Sequence, residues 1–264
     1  TATPSPTPVP SPSPSPTPDA VEALLRRMTL EEKVGQMMLV GLPGPAVDER
    51  ARRVVAGLHV GGVVLVGANA QDPAQTQALL QGLQALAPLP LFTAIDHEGG
   101  DIVRWQRGVT LFPSAMALGA TGSPDLAYQV GRASARELAA MGINMDLGPV
   151  LDVNSDPANP VIGLRSLGGD PERVGEMGAQ YMRGVREAGV IAVAKHYPGH
   201  GGVALDSHKA LPVLNVAEEV MWGRELAPFR RAIDEGVPAI MSAHLAVPAL
   251  TRDSALPATL SRAV

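Results

Sequence analysis

The feature that most constrains this chain is a repeated alternation. Six short runs rich in β-branched and other apolar residues, Met37–Gly41, Val60–Val66, Leu91–Ile95, Ile143–Val150, Val190–Ala194 and Ala239–Ser242, are separated by longer amphipathic stretches. Strands that carry apolar residues without strict alternation are buried on both faces, as in a parallel sheet covered by helices. The stretches between them have helix starts at Asp72–Pro73, Ser123–Pro124, Asp170–Pro171 and Asn215 with Glu218, each supplying a capping side chain or an N1 proline. Asp19 with Glu22, and Thr29 with Glu32, have N-cap and N3 spacing, so the folded part is expected to start at Asp19. Such a β-α repeat leaves two architectures, a doubly wound sheet and a (β/α)8 barrel.

The polar residues separate the two. Asp96, Asp146, Lys195–His196 and His244 fall at or just beyond the C-terminal ends of four different strands. A barrel collects functional side chains from many strands on that rim, whereas a nucleotide-binding sheet needs a glycine-rich phosphate turn after its first strand. Gly41-Leu-Pro-Gly44 does not match that turn. The expectation is a TIM barrel, α/β, that stops after about six β/α units. Such an arc has two open strand edges and an uncovered apolar interior, an aggregation hazard. Well-behaved cooperative unfolding would count against the count of six.

At 264 residues the chain suits one barrel domain, over 19–264, with a tail. It is 45% apolar, but no run approaches the roughly 18 apolar residues of a membrane span. The net charge is −5 with scattered Lys and Arg, which argues against nucleic acid as a partner. The absence of cysteine excludes a disulfide framework and thiolate metal sites. Residues 1–18 place proline at every even position from Pro4 to Pro18, with Thr, Ser or Val between. This composition predicts an extended polyproline II linker. Ser/Thr-Pro stalks hold domains away from a wall or membrane, so the expectation is a processed, extracellular or surface-tethered chain that meets a membrane only through this tether. A cytosolic low-complexity tail is the alternative.

The densest chemical signal is Lys195-His196-Tyr-Pro-Gly-His200-Gly-Gly202, followed by Asp206-Ser-His208. Asp206, two residues before His208, can orient its imidazole and support the charged form. A solvated loop is the bland reading, and a metal site using His196, His200 and His208 is the sharp rival. Lys195 would repel a cation there, and no His-x-His or His-Glu-x-x-His pair appears, so neither metal nor cofactor is expected. A second group, Asp96-His97-Glu98-Gly99-Gly100 with Arg104, puts a carboxylate at a strand end beside two glycines. One carboxylate can accept hydrogen bonds from two sugar hydroxyls; alternatively Asp96 is a helix cap and Arg104 its surface partner. A third runs from Asn144 through Asp146 to Asp152, with Arg165-Ser166 following. Asp146 and Asp152 fit a role as loop-bracing acids equally well.

At these residues the sequence resembles the bacterial β-N-acetylglucosaminidases of glycoside hydrolase family 3. Lys-His-Tyr-Pro-Gly-His-Gly with the later Asp-Ser-His resembles a signature that usually has phenylalanine third. Asp-His-Glu-Gly-Gly resembles Asp-Gln-Glu-Gly-Gly, Gly-Pro-Val-Leu-Asp-Val resembles a fourth-strand motif, and Ile162-Gly-Leu-Arg165-Ser166 resembles Ile-Gly-Asp-Arg-Ser. The order agrees from about Met28 to Ser261, including Met241-Ser-Ala-His244. The resemblance implies a (β/α)8 barrel and retaining hydrolysis of terminal β-linked N-acetylglucosamine from glycans such as peptidoglycan fragments or chitin-derived sugars. It makes His208 the acid/base and Asp206 its partner, an unusual choice among glycosidases. It assigns Asp96, Arg104, Arg165, Lys195 and His196 to the sugar's hydroxyls.

There are departures: Asp101 stands where the motif continues with arginine, and His97 replaces glutamine. The family's nucleophile is an aspartate after the seventh strand, beyond Val264, so this chain alone is expected to have little glycosidase activity and to be a monomer. A family 3 β-glucosidase, a non-catalytic sugar-binding module and a metal-dependent barrel hydrolase are the competing readings.

Overall fold

A computed structural model describes residues 18–264. The proline-rich segment, and the rod expected of it, lie outside the described residues up to Pro18, which opens the first helix. Six strands are present: β1 Leu39–Gly41, β2 Gly62–Leu65, β3 Phe92–Ile95, β4 Met145–Asp146, β5 Ile191–Tyr197 and β6 Ala239–Ser242. They form one sheet in the order β1-β2-β3-β4-β5-β6, and every neighbouring pair is parallel. Crossovers between parallel strands share one hand, so strands laid down in sequence order put all their helices on one face. The sheet curls with those helices outside, as six staves of a barrel. A doubly wound sheet would reverse its order partway. Within the described residues β1 and β6 are edges, each with a single neighbour.

The helices are α1 Pro18–Arg27, α2 Leu30–Gln36, α3 Glu49–Arg52, α4 Pro73–Gln84, α5 Ala115–Ala120, α6 Pro124–Ala140, α7 Pro171–Glu187, α8 Glu218–Val220, α9 Ala227–Asp234 and α10 Pro248–Thr251. Thr29 and Glu32 close the expected capping box on α2. Asp72, Ser123 and Asp170 cap α4, α6 and α7, with Pro73, Pro124 and Pro171 in the first turn. Two starts differ from expectation. Asp19 sits inside the first turn of α1, because Pro18 already occupies the helix. Asn215 starts nothing: Val213 bridges Ala246, Leu214 N–H donates to Ala246 O, and the chain stays extended until α8. The strand expected over Ile143–Val150 also shrinks to two residues. The side chain of Asn144 takes the Thr93 N–H and donates to Leu91 O, Pro149 has no N–H to give, and pairing resumes where Val150 bridges Lys195.

Most of the core lies between the sheet and the helices. Val63, Leu80, Leu83, Ile95 and Leu138 fill one half, and Leu151, Val174, Met177, Val185, Ala194 and Phe229 the other. The helices α6 and α7 approach closely because Gly131 lies against Tyr181 O and Gly184 against Tyr128 O, where a Cβ would come within 2.4 Å and 2.2 Å. On the concave face a smaller group, Ala94, Met145, Leu147 and Val193, packs with Val64 and Met241. Side chains alternate along a strand. Along β3, Ala94 faces the concave side and Ile95 the helices, which returns Asp96 to the concave side. Along β5, Val193 faces inward, Ala194 outward and Lys195 inward. The strand β4 keeps the same phase, Met145 pairing with inward-facing Ala94 and Asp146 with outward-facing Ile95, so Asp146, one position earlier than Asp96 in the register, is turned into the helical layer. The two open edges expose Leu39 and Ile240 in part.

Candidate active site

Lys195 is the centre of the rim. Its ammonium is 1% exposed and lies 2.7 Å from Asp96 Oδ1 and 2.6 Å from Glu98 Oε1. Asp96 uses its other oxygen to accept from Arg104 at 2.9 Å. Glu98 receives Arg165 in a two-pronged contact, Nε and Nη2 each at 2.8 Å. Arg165 stands on a tight turn at Gly163–Arg165, and its Nη2 lies 3.3 Å from His196 Nε2. Nδ1 of that ring is 2.6 Å from Asp152 Oδ2. One chain of charge-assisted contacts therefore runs Arg104, Asp96, Lys195, Glu98, Arg165, His196, Asp152. It draws on β5 and the segments after β3 and β4, and fixes each side chain between its ends through two neighbours, the preorganisation a polyol site needs.

The electrostatics follow from this pairing. Burial works to raise the pKa of Asp96, but Lys195 and Arg104 outweigh it and hold the carboxyl below its ordinary value. Burial likewise opposes Glu98, and the Arg165 hydrogen bonds with the Lys195 charge overcome it. For Asp152, fully buried, the charge and hydrogen bond of His196 do the same, helped by the His200 N–H. All three acids are thus ionised acceptors near neutral pH. Beside Glu98 and Arg165 a cleft of about 250 Å³ opens between the loops after β3 and β4, lined also by Asp101, Ile102, Val161 and Leu164.

Asp206 and His208 form a separate dyad. Asp206 Oδ1 lies 2.8 Å from His208 Nδ1 and accepts the His208 backbone N–H at 2.9 Å. These two hydrogen bonds hold the Asp206 carboxyl low. The imidazole side chain is 82% exposed, on a loop that begins after β5, and its Nε2 edge is turned away from the aspartate. The loop is tied to the rim through His200, whose N–H donates to Asp152 and whose Nε2 lies 3.0 Å from Ser207 Oγ.

The residues expected to act together are therefore placed in two groups. Asp96, Arg104, Lys195, Arg165 and His196 share one network, while Asp206 and His208 pair with each other on the exposed loop. Asp96 is an ion-pair partner within this network, with no capping contact. Asp152, equally readable as a bracing acid, orients His196. Glu98 is the functional residue that the Asp-His-Glu-Gly-Gly run does not single out; its signal is an acid two residues beyond Asp96 with a cation far along the chain, which sequence alone cannot pair. Asp146 ends β4 as expected, but its side chain faces the helices instead of the rim, because it pairs with outward-facing Ile95. His244 lies apart from the network with Thr259 Oγ1 at 2.7 Å. The donor set for a metal is not assembled. Nδ1 of His196 faces Asp152, Nε2 of His200 faces Ser207, Nδ1 of His208 faces Asp206, and no three His, Asp or Glu among the described residues gather to hold an ion.

Residues 29–264 match the glycosyl hydrolase family 3 N-terminal domain. A beta-hexosaminidase of Alkalilimnicola ehrlichii is 37% identical over 230 residues, covering 85% of this chain and 65% of that protein. A family 3 β-N-acetylglucosaminidase from Paenibacillus sp. superposes with a TM-score of 0.88 at 46% identity, over 90% of this chain and 46% of that one. NagZ from Neisseria gonorrhoeae, solved in complex with N-trifluoroacetyl-D-glucosamine, gives 0.77 at 33% identity, over 82% and 65%. The chain spans no more than 65% of the length of any of the three. A match that covers the fold from α2 onward leads to one assignment: this chain belongs to glycosyl hydrolase family 3, of which it carries the N-terminal domain.

Proposed function

We propose that the protein containing this chain is a retaining glycoside hydrolase that releases terminal β-linked N-acetylglucosamine, from cell-wall or chitin-type glycans. The observation that carries the reading is the continuous ionic rim from Arg104 to Asp152 with the Asp206–His208 dyad on the adjoining loop. The NagZ relative bound to a glucosamine derivative supports the sugar class. In this reading Asp96 accepts hydrogen bonds from sugar hydroxyls while Arg104, Lys195, Arg165 and His196 donate to them, their positions already set by one another.

His208 carries the proton. Asp206 holds Nδ1, so Nε2 delivers a proton to the departing glycosidic oxygen and later takes one from the attacking water. The covalent step needs a carboxylate to attack the anomeric carbon. None of the acids of this rim is free for it, since Asp96, Glu98 and Asp152 are each ion-paired. We assign that role to an aspartate outside this chain. The proline-rich segment is read as a tether that holds a monomeric enzyme at the cell exterior.

The test is hydrolysis of a chromogenic aryl N-acetyl-β-glucosaminide by the full-length protein and its His208→Ala variant. A fall of about 10²-fold, the scale of a lost general acid/base, with unchanged unfolding, is expected. Turnover unaffected by the substitution would overturn the role of His208. Sugar binding without any turnover in the full-length protein would favour a binding module.

A further inference from the structure

The loop that carries Asp206 and His208 stands on a narrow base. Its first residues, Gly199–Gly202, are pressed between the segment after β4 and the turn Met221–Glu225 that joins α8 to α9. A Cβ at Gly201 would come within 1.8 Å of Val153 O, and one at Gly202 within 2.9 Å of Ser155 Oγ. From the other side comes Glu225, which is fully buried. A Cβ at Gly199 would lie 2.9 Å from both Glu225 Cβ and Oε2, and one at Gly202 3.4 Å from Oε1.

The polar contacts of Glu225 are one-sided. Oε1 accepts from Arg224 Nε at 2.7 Å and from Ser155 Oγ at 3.4 Å. Oε2 is buried against Gly199 and closes no hydrogen bond among the described residues. A buried carboxylate oxygen without a partner is costly, on the order of 1–3 kcal/mol, and the fold carries that cost at the point where the Glu225 side chain meets Gly199 and Gly202. Burial also lifts the Glu225 pKa against the pull of Arg224.

We propose that Glu225 is a positioning residue for the acid/base loop: its side chain is the wedge that sets where Gly199–Gly202, and through them Asp206 and His208, stand relative to the sugar rim. The path is continuous. Glu225 fixes Gly199 and Gly202, and His200 between them donates to Asp152 at 2.7 Å. His200 then reaches Ser207 at 3.0 Å, between the two members of the dyad. Asn159 holds the base from below, donating to His200 O at 2.7 Å. Of the dyad His208 is exposed, and Val203, buried with Leu214 and Met221, supports the chain between this base and Asp206. The functional meaning of the wedge rests on the reading of His208 as acid/base.

Amide hydrogen exchange on this chain tests the wedge without turnover, since local opening is what removal of a wedge increases. In Glu225→Ala the amides of Gly199, His200 and His208, all hydrogen-bonded in the native fold, should exchange about tenfold faster while those of α6 and α7 stay unchanged. Glu225→Gln, which keeps the shape of the wedge, should restore rates to within about twofold. If Glu225→Ala does not fold, Glu225→Asp, shorter by one methylene, should raise exchange about threefold in the same three amides. Equal acceleration across the whole fold, or none at the loop, would overturn the proposal. That failure would leave the glycosidase reading standing, whereas a wild-type full-length protein without turnover, together with a loop loosened only in Glu225→Ala, would sink the glycosidase reading and keep the wedge.

Discussion

Asp146 offers the sharpest test of the strand phases. It is fully buried between β4 and the helices, where burial raises its pKa from 3.8 to about 8; the Glu98 and Asp96 charges push the same way, and Lys195 and a His97 backbone contact only partly offset them. The Tyr181 hydroxyl stands on the same side, its own pKa raised by burial and by Asp146. Neither carboxyl oxygen closes a hydrogen bond among the described residues. The folded carboxyl thus keeps its proton to about pH 8, while the unfolded chain gives it up near 4. Between those limits the unfolded state binds fewer protons, so this group makes stability fall as pH rises, by ~1.4 kcal/mol per pH unit. Over the whole window that amounts to on the order of 5 kcal/mol. Asp146→Asn replaces the neutral acid by a near isostere that cannot ionise. The stability of the variant minus that of the wild type should climb from pH 4 to pH 8 and level off above. Denaturant unfolding followed by circular dichroism, in dilute protein so that the open edges do not associate, measures it. The contributions of Asp96, Glu98 and Asp152 are present in both proteins and cancel in the difference. A difference independent of pH would show that Asp146 is ionised or exposed, and the outward phase of β4 would be wrong.

Two further outcomes are expected. Lys195→Met leaves Asp96 and Glu98 facing each other without their shared cation and should cost about 3–5 kcal/mol, the scale for removing one partner of a buried pair, with sugar binding lost. Unchanged stability in the same unfolding assay would mean that the rim is more solvated than its burial implies. Gly131→Ala forces a methyl to within 2.4 Å of Tyr181 O, so α6 and α7 must part at a cost of about 2 kcal/mol. A thermal midpoint equal to wild type would refute that close approach.

Much of the architecture was written in local chemistry. The capping box of Thr29 and Glu32, and the Asp-Pro and Ser-Pro starts of α4, α6 and α7, act within a single turn and need no tertiary partner. The six apolar runs predicted six strands because burial on two faces selects the residue types directly. Element ends were less legible. The early end of β4 depends on Asn144 reaching Thr93, and the delayed start of α8 on a bridge from Val213 to Ala246.

The candidate site divides in the same way. The sequence alone singled out Asp96, Arg104, Arg165, Lys195, His196, Asp206 and His208, which all lie in short runs that resemble family motifs. Only the tertiary structure decided the pairing: that Lys195 joins Asp96 and Glu98 about a hundred positions away, that Asp152 holds His196, and that Glu225 wedges the loop. It also decided that Asp96 faces the concave rim and Asp146 the helices. The physical reason is that side chains alternate with a period of two, so one residue of phase in a strand turns an acid from the site to the core. That phase is set by neighbouring strands and the helices behind them, which no local run of residues records.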